Sequence, residues 1–528
     1  MLLVRGALLL VLVAGCRLRG GAYMAPHAGG DPPPPSAVDH RLILIGDAGD
    51  PDPMGEPTLH ALEQHVRLMP ERTTVVFLGD NVYETGMPEP TDLKDTPIEE
   101  VLGRTLLNLY ASRQDAERRV KAQVKGVDVG GARAIFVPGN HDWDQFGVGG
   151  WKRVRELETY VDTLAKTTDV RLSFLPGGGC PGPITRDLGA RARLVVLDTQ
   201  WLLELGDKPK PDNNPTGCAQ TTTEEVSEAL VAALQEAKRD GRAAIVVAHH
   251  PLRSHGPHGG YVSPLIHVFP LFMFGSYVPS WSHWIPIPVI GSVMGLSRAW
   301  FSPNVQDFSS AVNEDMRETL WAAMDGPAVD GAAPLVYAAG HEHSLQVFES
   351  DRGPRYLVVS GLGSADKATP VGRDRSSLFA DSAHERPGFV TLDFLRDGRT
   401  RLAVIEVAPE KPDGVEVWAQ LLDRQKPMTR RAAGENPTNY PPATARPPRF
   451  PRRGVRRRAG TDAAEGARED SSNDESTRRR EWARRVSGAV SPRRAPRAPA
   501  PLVGVARRQP DRCGMRRAPM SVSCVLRR

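Results

Sequence analysis

Three observations predict a layered α/β domain across roughly residues 40–410. Short apolar runs typical of buried strands recur along the chain, and the earlier ones alternate with amphipathic helical segments. Several of these runs end in acidic, amide or imidazole side chains, often next to glycine. After residue 345 the runs follow one another without intervening helices, which favours a sheet of hairpins packed beside parallel strands.

The elements are predicted as follows. Strands with helices between them are expected at residues 40–45, 74–78, 134–137, 194–197, 244–248 and 335–339. Hairpin strands are expected near 345–349, 356–359, 389–394 and 402–407. Helices are expected at 59–68, 98–124, 151–164 and 223–239, the last beginning at Thr223 as its cap.

The rest of the chain is organised around Gly79-Asp80-Asn81-Val82-Tyr83, which follows the apolar run Thr74–Leu78. An aspartate at the end of a buried strand is costly unless a positive partner meets it, and a metal ion is a common partner. Taken alone, Gly-Asp-Asn is also ordinary turn chemistry. The pattern recurs, however, and parallel strands bring their carboxyl ends to one sheet edge. The polar residues at these ends are Asp47, Asp80, Tyr83, Asn140, His141, His249, His341 and His343.

This mixture of hard oxygen donors and imidazoles suits Fe, Zn or Mn, and the number of ligands suits two ions that share a bridging carboxylate. The motifs that carry these residues are Gly-Asp-Ala-Gly (46–49), Gly-Asp-Asn-Val-Tyr (79–83), Gly-Asn-His-Asp (139–142), Val-Val-Ala-His (246–249) and Gly-His-Glu-His (340–343). In this order they resemble the five motif blocks of the calcineurin-like metallophosphoesterases. The resemblance covers about residues 40–410 and implies a β-sandwich flanked by helices.

The resemblance is strongest to the purple acid phosphatases of the small, single-domain type. Most of the superfamily has a histidine in the first block, where this chain has Gly49. The purple acid phosphatases likewise lack it and use a tyrosine from the second block, which is Tyr83 here. The family pattern then implies that Asp80 bridges the two metals, that Asp47, Tyr83 and His343 hold the first, and that Asn140, His249 and His341 hold the second.

Two further residues receive roles from the family pattern. His141 is expected beside the leaving-group oxygen as a hydrogen-bond donor or general acid. His250 either faces the phosphate pocket or only contacts the ligands from behind, and the sequence leaves both open. The implied cofactors are Fe(III), because a phenolate ligand favours it, and a divalent Fe, Zn or Mn ion.

The expected activity is hydrolysis of small phosphomonoesters by a hydroxide that two metal ions generate, as in acid phosphatases. One alternative within the fold is a phosphodiesterase or nucleotide pyrophosphatase. Another is an envelope assembly or binding module whose catalysis is secondary. We do not expect a nucleic-acid partner.

The N-terminus is expected to be an export signal over residues 1–16, with one positive charge followed by a short apolar stretch. Val13-Ala14-Gly15-Cys16 resembles the bacterial lipobox, which predicts an exported lipoprotein of the cell envelope, anchored to the membrane through Cys16. A Gly/Pro-rich tether is expected over 17–39 and the phosphoesterase domain over 40–412. Because an exported protein meets oxidising conditions, Cys180 and Cys218 are expected to form a disulfide.

Two segments depart from the family pattern. An aromatic insert over 255–312 contains an apolar stretch that prolines interrupt, so we expect a lid over the site, a membrane-interface patch or a docking surface and not a membrane-spanning helix. Residues 413–528 are expected to form a disordered tail, in which residues 428–528 hold 25 arginines against 9 acidic residues. Such a tail could attract nucleic acid or anionic lipid, but the Ala/Arg/Pro composition of residues 428–528, which lack lysine, more strongly favours a segment without selected function.

Overall fold

The structure is a computed structural model that describes residues 23–423, except for 91–105, 145–148, 272–278, 326–328, 330, 365–367, 374–375 and 381–385. All of the described residues lie in one compact unit, residues 1–436. The predicted signal segment, lipobox Cys16 and arginine-rich tail lie outside the described residues.

The described chain combines strands and helices in the predicted order. The strands are β1 (Tyr23–Met24), β2 (Val38–Ile45), β3 (Thr73–Phe77), β4 (Arg133–Phe136), β5 (Arg171–Phe174), β6 (Ile184–Leu188), β7 (Ala192–Val196), β8 (Ala243–Val247), β9 (Val336–Ala339), β10 (Leu345–Glu349), β11 (Tyr356–Ser360), β12 (Ser377–Ala380), β13 (Gly388–Leu395), β14 (Thr400–Ala408) and β15 (Lys411–Leu422). The α-helices are α1 (Pro57–Arg67), α2 (Leu106–Lys125), α3 (Gly150–Leu164), α4 (Thr199–Leu203), α5 (Thr223–Arg239), α6 (Pro264–Val268), α7 (Pro288–Phe301) and α8 (Ala311–Met324). Short 3₁₀ helices lie at Pro35–Ala37, Pro70–Arg72 and Ser280–Trp284.

The strands form two sheets. One has seven strands in the order β15-β14-β13-β2-β3-β4-β5, with β2 to β5 parallel. The other has eight in the order β1-β12-β10-β11-β9-β8-β7-β6, with β7, β8, β9 and β11 parallel. Each sheet therefore has a parallel centre whose strands end at one edge, and hairpin strands extend it.

Three apolar cores separate four layers. Apolar side chains of β2 to β4 pack against those of β7 to β9 and form the core between the two sheets. A second core lies between the seven-stranded sheet and helices α1, α2 and α3. A third lies between the eight-stranded sheet and helices α5 and α8. The predicted β-sandwich flanked by helices is confirmed.

The strongly apolar strands were predicted within one or two residues, while the more polar or shorter ones were missed. Strands β1, β5, β6, β12 and β15 had no counterpart in the prediction, and β15 carries the sheet past residue 412. Helix α5 is capped one residue earlier than predicted, because Thr222 and Glu225 form a capping box. The predicted disulfide between Cys180 and Cys218 is present.

The aromatic insert contains α6, the 3₁₀ helix Ser280–Trp284 and α7. Within the part of the chain that the structure describes, no helix has both the length and the apolar character needed to cross a membrane.

Candidate metal centre

The candidate site lies at the edge where five parallel strands of the two sheets end. Asp47 follows β2, Asp80 follows β3, Asn140 follows β4, His249 follows β8 and His341 follows β9. Hydrogen bonds cross between the sheets at this edge, since the Asp47 carboxylate accepts the backbone N–H of His341 at 2.8 Å. The two sheets thus deliver their polar strand ends to one place, as the sequence predicted.

Three of these residues hold a backbone conformation that L-residues rarely adopt. The φ angles of Asp47, Asp80 and His341 are 58°, 55° and 70°. Such residues cost roughly 1–3 kcal/mol each and concentrate at functional sites. Gly79 permits the close approach, because a Cβ on it would lie 2.4 Å from Nδ1 of His249. The fold therefore keeps strained residues at this edge, although relaxed turns would have a lower backbone conformational energy.

The first group of side chains surrounds the phenol of Tyr83. Its oxygen lies 3.0 Å from Oδ1 of Asp47, 3.1 Å from Oδ2 of Asp80 and 3.1 Å from Nε2 of His343. Nε2 of His343 also lies 3.3 Å from Oδ1 of Asp47. Gly49 leaves no room for a larger residue, because a Cβ there would lie 2.4 Å from the backbone oxygen of Asp80. Tyr83 thus stands with the carboxylates, and the first motif block has no space for the histidine that most of the superfamily carries.

The second group comprises Asn140, His249 and His341. Oδ1 of Asn140 lies 2.8 Å from Nε2 of His249 and 2.9 Å from Nδ1 of His341, and these two nitrogens are 3.3 Å apart. Asp80 joins the two groups with different oxygens. Its Oδ2 faces Tyr83, whereas its Oδ1 lies 3.4 Å from Nε2 of His249.

Backbone carbonyls fix the tautomers of both imidazoles in the second group. Nδ1 of His249 donates to the carbonyl of Leu78 at 2.8 Å, and Nε2 of His341 donates to the carbonyl of Gln306 at 3.2 Å. The remaining nitrogen of each ring therefore turns a lone pair toward Asn140 and the centre of the site. Ring N–H groups held by carbonyls in this way are the usual support of metal-binding histidines.

The protonation equilibria of the site also favour cation binding. Burial by itself would raise the pKa of Asp80, but His249, His141 and the His141 backbone amide lower it to about 2, so the carboxylate is charged. Burial, followed by the charge of His258, lowers the pKa of His341 well below its ordinary value, so the imidazole is neutral. Burial and the two aspartates raise the pKa of Tyr83 well above 10. The phenol becomes a phenolate only if a cation replaces its proton.

The donor set fits metal ions. Two groups of carboxylates and imidazoles are close enough to bind an ion together, one of Asp47, Asp80 and His249 and the other of His249, His250 and His341. Ligand atoms about 3 Å apart are what bonds of 2.0–2.2 Å to a common ion produce. The chemistry of the site and its spacing therefore suit the binding of a metal ion.

His250 occupies a different position from the other histidines. Its Nε2 donates to Oε1 of Gln306 at 2.6 Å, and its Nδ1 accepts from the hydroxyl of Thr199 at 2.9 Å. Burial is the main cause that lowers the pKa of His250 well below the ordinary value. Both nitrogens of His250 therefore have protein partners, and its ring packs against those of His249 and His341.

His141 lies at the open side of the site. Its Nδ1 donates to the carbonyl of Glu84 at 2.6 Å, and its backbone N–H donates to Asp80 at 2.9 Å. Its Nε2 lies 3.9 Å from Oδ2 of Asp80, and its ring packs against that of Tyr83 at 4.4 Å between centroids. His141 is therefore beside the candidate ligands without being part of either group.

The sequence analysis missed the residues that hold the motif loops together. Asp142 accepts from the backbone N–H groups of Asn81, Val82 and Gly139 at 3.0, 3.1 and 2.9 Å, and so ties the loop after β3 to the loop after β4. Burial, with the nearby Asp80 charge, raises the pKa of Asp142 to about 7. Its place in the Gly-Asn-His-Asp motif was the signal that could have identified it.

The insert, for which a lid over the site was one of the three expectations, contacts the site through residues that were not predicted individually. Gln306 contacts both His250 and His341, as described above. The ring of His258 packs on that of His341 at 4.3 Å between centroids, while its Nδ1 donates to Asp307 at 2.7 Å. Arg298 of α7 holds the same aspartate with two hydrogen bonds of 3.0 and 2.8 Å. The insert is thus built into the wall of the centre.

The chain matches a known protein family over part of its length. Residues 40–269 match the family model of the calcineurin-like phosphoesterases, which confirms the predicted resemblance and the class of enzyme, a phosphoester hydrolase. No curated protein sequence gives a significant match.

Solved structures that match the chain include three from different organisms. GAP50, the anchor in the inner membrane complex of Plasmodium, is 14% identical with a TM-score of 0.40, and the match covers 73% of this chain and 88% of that one. The purple acid phosphatase PPD1 from yellow lupin (Lupinus luteus) seeds is 14% identical with a TM-score of 0.39, covering 78% and 58%. A dimetal phosphatase from Danio rerio is 12% identical with a TM-score of 0.34, covering 73% and 99%. Likenesses at this level indicate no substrate or partner for this chain.

Proposed function

We propose that this chain, whose residues 40–269 match the calcineurin-like phosphoesterases, hydrolyses phosphomonoesters at a centre of two metal ions. The observation that carries the proposal is the position of Asp80. Its two oxygens face different groups of donor atoms, one around Tyr83 and one that contains His249. A buried carboxylate is stabilised when it lies between two cations, and a two-metal centre needs such a bridge.

The ligand assignment follows from the two groups. Asp47, Tyr83 and His343 would hold Fe(III), because a phenolate favours that ion, and Asp80 would be shared. The other group, Asn140, His249 and His341, would hold a divalent Fe, Zn or Mn ion. When bound, the two ions would supply Lewis-acid activation of the phosphate and a water of lowered pKa.

The remaining residues orient and exchange protons. His141 has its Nδ1 hydrogen committed to the carbonyl of Glu84, so its Nε2 is the atom that can hold a proton for a leaving-group oxygen. His250 keeps the Gln306 loop in contact with the ligands through its Nε2 hydrogen. We assign His141 as the general acid and His250 as a positioning residue.

The test compares an aryl phosphomonoester with the matching diester, using the full chain reconstituted with iron and zinc or manganese. Asp80→Ala is the blank, with circular dichroism and a reversible unfolding curve to verify that it folds. We expect turnover of the monoester that Asp80→Ala abolishes. Preference for the diester would assign the chain to the phosphodiesterase alternative. Absence of turnover on both esters with two metals bound would refute the proposed activity and leave the binding-module alternative.

We also propose that the protein is an exported lipoprotein of the cell envelope, on the strength of the Val13-Ala14-Gly15-Cys16 motif. The expected result is that Cys16→Ser lowers the share of the protein that sediments with membranes after a high-salt wash. An unchanged share, together with the absence of a lipid-modified N-terminal cysteine in the mass spectrum, would contradict lipidation.

A further inference from the structure

Helix α7 of the insert packs with its small residues inward. Gly291 and Gly295 lie one turn apart and are both buried. A Cβ on Gly291 would lie 2.4 Å from the carbonyl oxygen of Ile266 in α6, and one on Gly295 would lie 2.6 Å from a methyl carbon of Val262. Where α7 packs against α6 and Val262, it therefore presents two glycines.

The opposite side of the same helix carries large apolar residues. Val289, Val293 and Trp300 follow helical spacing and share one side, on which Val293 is 63% exposed. The adjacent 3₁₀ helix adds Trp281 and Trp284, which are 71% and 62% exposed. Helices of water-soluble domains show the reverse order, with the apolar stripe inward and polar residues outward. We call this surface the apolar face; it comprises Trp281, Trp284, Val289, Val293, Trp300 and Phe301.

Charge is absent along this part of the chain. Residues 256–297 contain no Asp, Glu, Lys or Arg. This stretch includes the 3₁₀ helix Ser280–Trp284 and the part of α7 that precedes Arg298. Arg298 itself is held by Asp307. Uncharged segments with tryptophan at their surface are typical of the bilayer interface, where the indole ring spans the polar and apolar regions. The absence of basic residues excludes attraction to anionic headgroups as the source of binding.

The path of the chain indicates what the apolar face meets. Tyr23 pairs with Ala380 at the edge of the eight-stranded sheet, and Ala380 pairs with Gln346 of β10. The side chain of Gln346 accepts the backbone N–H of His255, where the insert begins. The first described residues therefore lie near the start of the insert. The predicted anchor Cys16 is seven residues from Tyr23, a reach of about 25 Å.

The size of the helix limits how it can meet a membrane. Helix α7 has 14 residues and is about 21 Å long, shorter than the roughly 30 Å of a bilayer core. We propose that the apolar face inserts into the interfacial layer of a phospholipid bilayer, with α7 parallel to the membrane plane. The insert would then be a second membrane contact beside the predicted lipid anchor, and it would require only zwitterionic lipid.

The test uses the tryptophans of the apolar face as reporters in the full chain. Vesicles of phosphatidylcholine brominated on the acyl chains quench tryptophan fluorescence only on contact. The parent carries Cys16→Ser, so that no lipid anchor is present. We expect quenching and a blue shift in this parent. Val289→Ser, Val293→Ser and Phe301→Ser together should weaken partitioning by about 100-fold, since three exposed apolar side chains leave the face while its tryptophans remain.

A matched control replaces three exposed apolar residues outside the insert. Met54→Ser, Leu68→Ser and Leu205→Ser remove side chains that are likewise exposed, Met54 being 95% and Leu205 77% exposed. This control should partition like the parent, and the N-terminal apolar segment is common to all three proteins. Absence of quenching in the parent, or equal quenching in the insert variant, would overturn the proposal. A blue shift that rises with protein concentration without vesicles would also overturn it, because a second copy of the chain would then cover the face.

Discussion

Replacement of Gln306 by leucine is expected to weaken one of the two metal sites and spare the other. Oε1 of Gln306 accepts from His250 at 2.6 Å, and its amide donates to Oε1 of Gln200 at 3.1 Å. Its backbone carbonyl accepts from His341 at 3.2 Å. Leucine has a similar volume but leaves the buried groups of His250 and Gln200 without partners. At about 1–3 kcal/mol for each, the free energy of unfolding should fall by about 2–6 kcal/mol.

The effect on the metals should be selective. Leucine keeps the backbone carbonyl that fixes the tautomer of His341, but it loses the side-chain contacts with His250 and Gln200 that hold this carbonyl in place. Loss of such support typically costs 10–100-fold in metal affinity. His341 belongs to the group of Asn140 and His249, whereas Gln306 makes no described contact with Tyr83 or its group. We therefore expect the affinity of the second site to fall 10–100-fold and that of the Tyr83 site to stay within about twofold.

Competition with a chromophoric chelator measures both affinities on the metal-free protein. Gln200→Leu is the matched control, because it disturbs the amide of Gln306 but leaves its contacts with His250 and His341 in place. That control should bind two metals like the parent. If Gln306→Leu keeps both affinities although its stability falls as calculated, or if both sites weaken equally, the assignment of Gln306 as support for His341 is refuted.

Three further outcomes are expected. Tyr83→Phe should abolish the visible charge-transfer absorption of iron-loaded protein and reduce turnover by at least about 10-fold, because the phenol oxygen contacts both Asp47 and Asp80. A colourless parent that holds only Zn or Mn, with full activity in the variant, would contradict this. Serine at both Cys180 and Cys218, which are 38 residues apart, should lower the free energy of unfolding measured in urea by about 4 kcal/mol. Reduction of the parent with dithiothreitol should lower it by the same amount. Burial is the main cause that lowers the pKa of His40 and of His65 to about 4, so their stabilising effect is present above pH 6.5 and is lost as pH falls toward 4. Protonation of each histidine should lower the free energy of unfolding by about 2 kcal/mol between pH 7 and pH 5. His65→Gln should therefore reduce the measured change in stability over this range by that amount.

The sequence was sufficient for the candidate ligands because each one follows a strand whose burial is visible in its composition. The run Thr74–Leu78 is apolar without interruption, and a polar residue after it must lie at the sheet edge. Glycine is needed at position 79, because a Cβ there would clash with the ring of His249. Strands such as β6 (Ile184–Leu188) were missed because Thr, Arg and Asp interrupt the apolar pattern at a position where half of the strand faces solvent.

The support of the ligands could not be predicted. Gln306 and His258 lie in an insert whose own packing is unusual, and nothing local marks their side chains as directed toward the site. Asp307, next to Gln306 in the chain, binds both Arg298 of α7 and His258, whose ring packs on His341. Contacts of this kind arise from tertiary packing over long sequence separations, and pattern or spacing does not encode them.

The low pKa values of His40, which is buried, and of His65, which is half-buried, also bear on whether the protein can work in acid, as the name of the purple acid phosphatases suggests. Domains are stable by about 5–15 kcal/mol, so the loss of about 4 kcal/mol from His40 and His65 by pH 5 is a large share. Bound metals could offset it, since a ligand at 1,000 times its Kd adds about 4 kcal/mol. Metal affinity falls in the same pH range, however, because protons compete for imidazole and phenolate ligands. Stability and metal occupancy should therefore decline together, and a rate maximum below pH 5 is not expected. A pH–rate profile recorded together with unfolding curves at each pH checks this. Full activity at pH 4 in a folded, metal-loaded protein would show that these two histidines do not limit the pH range of activity.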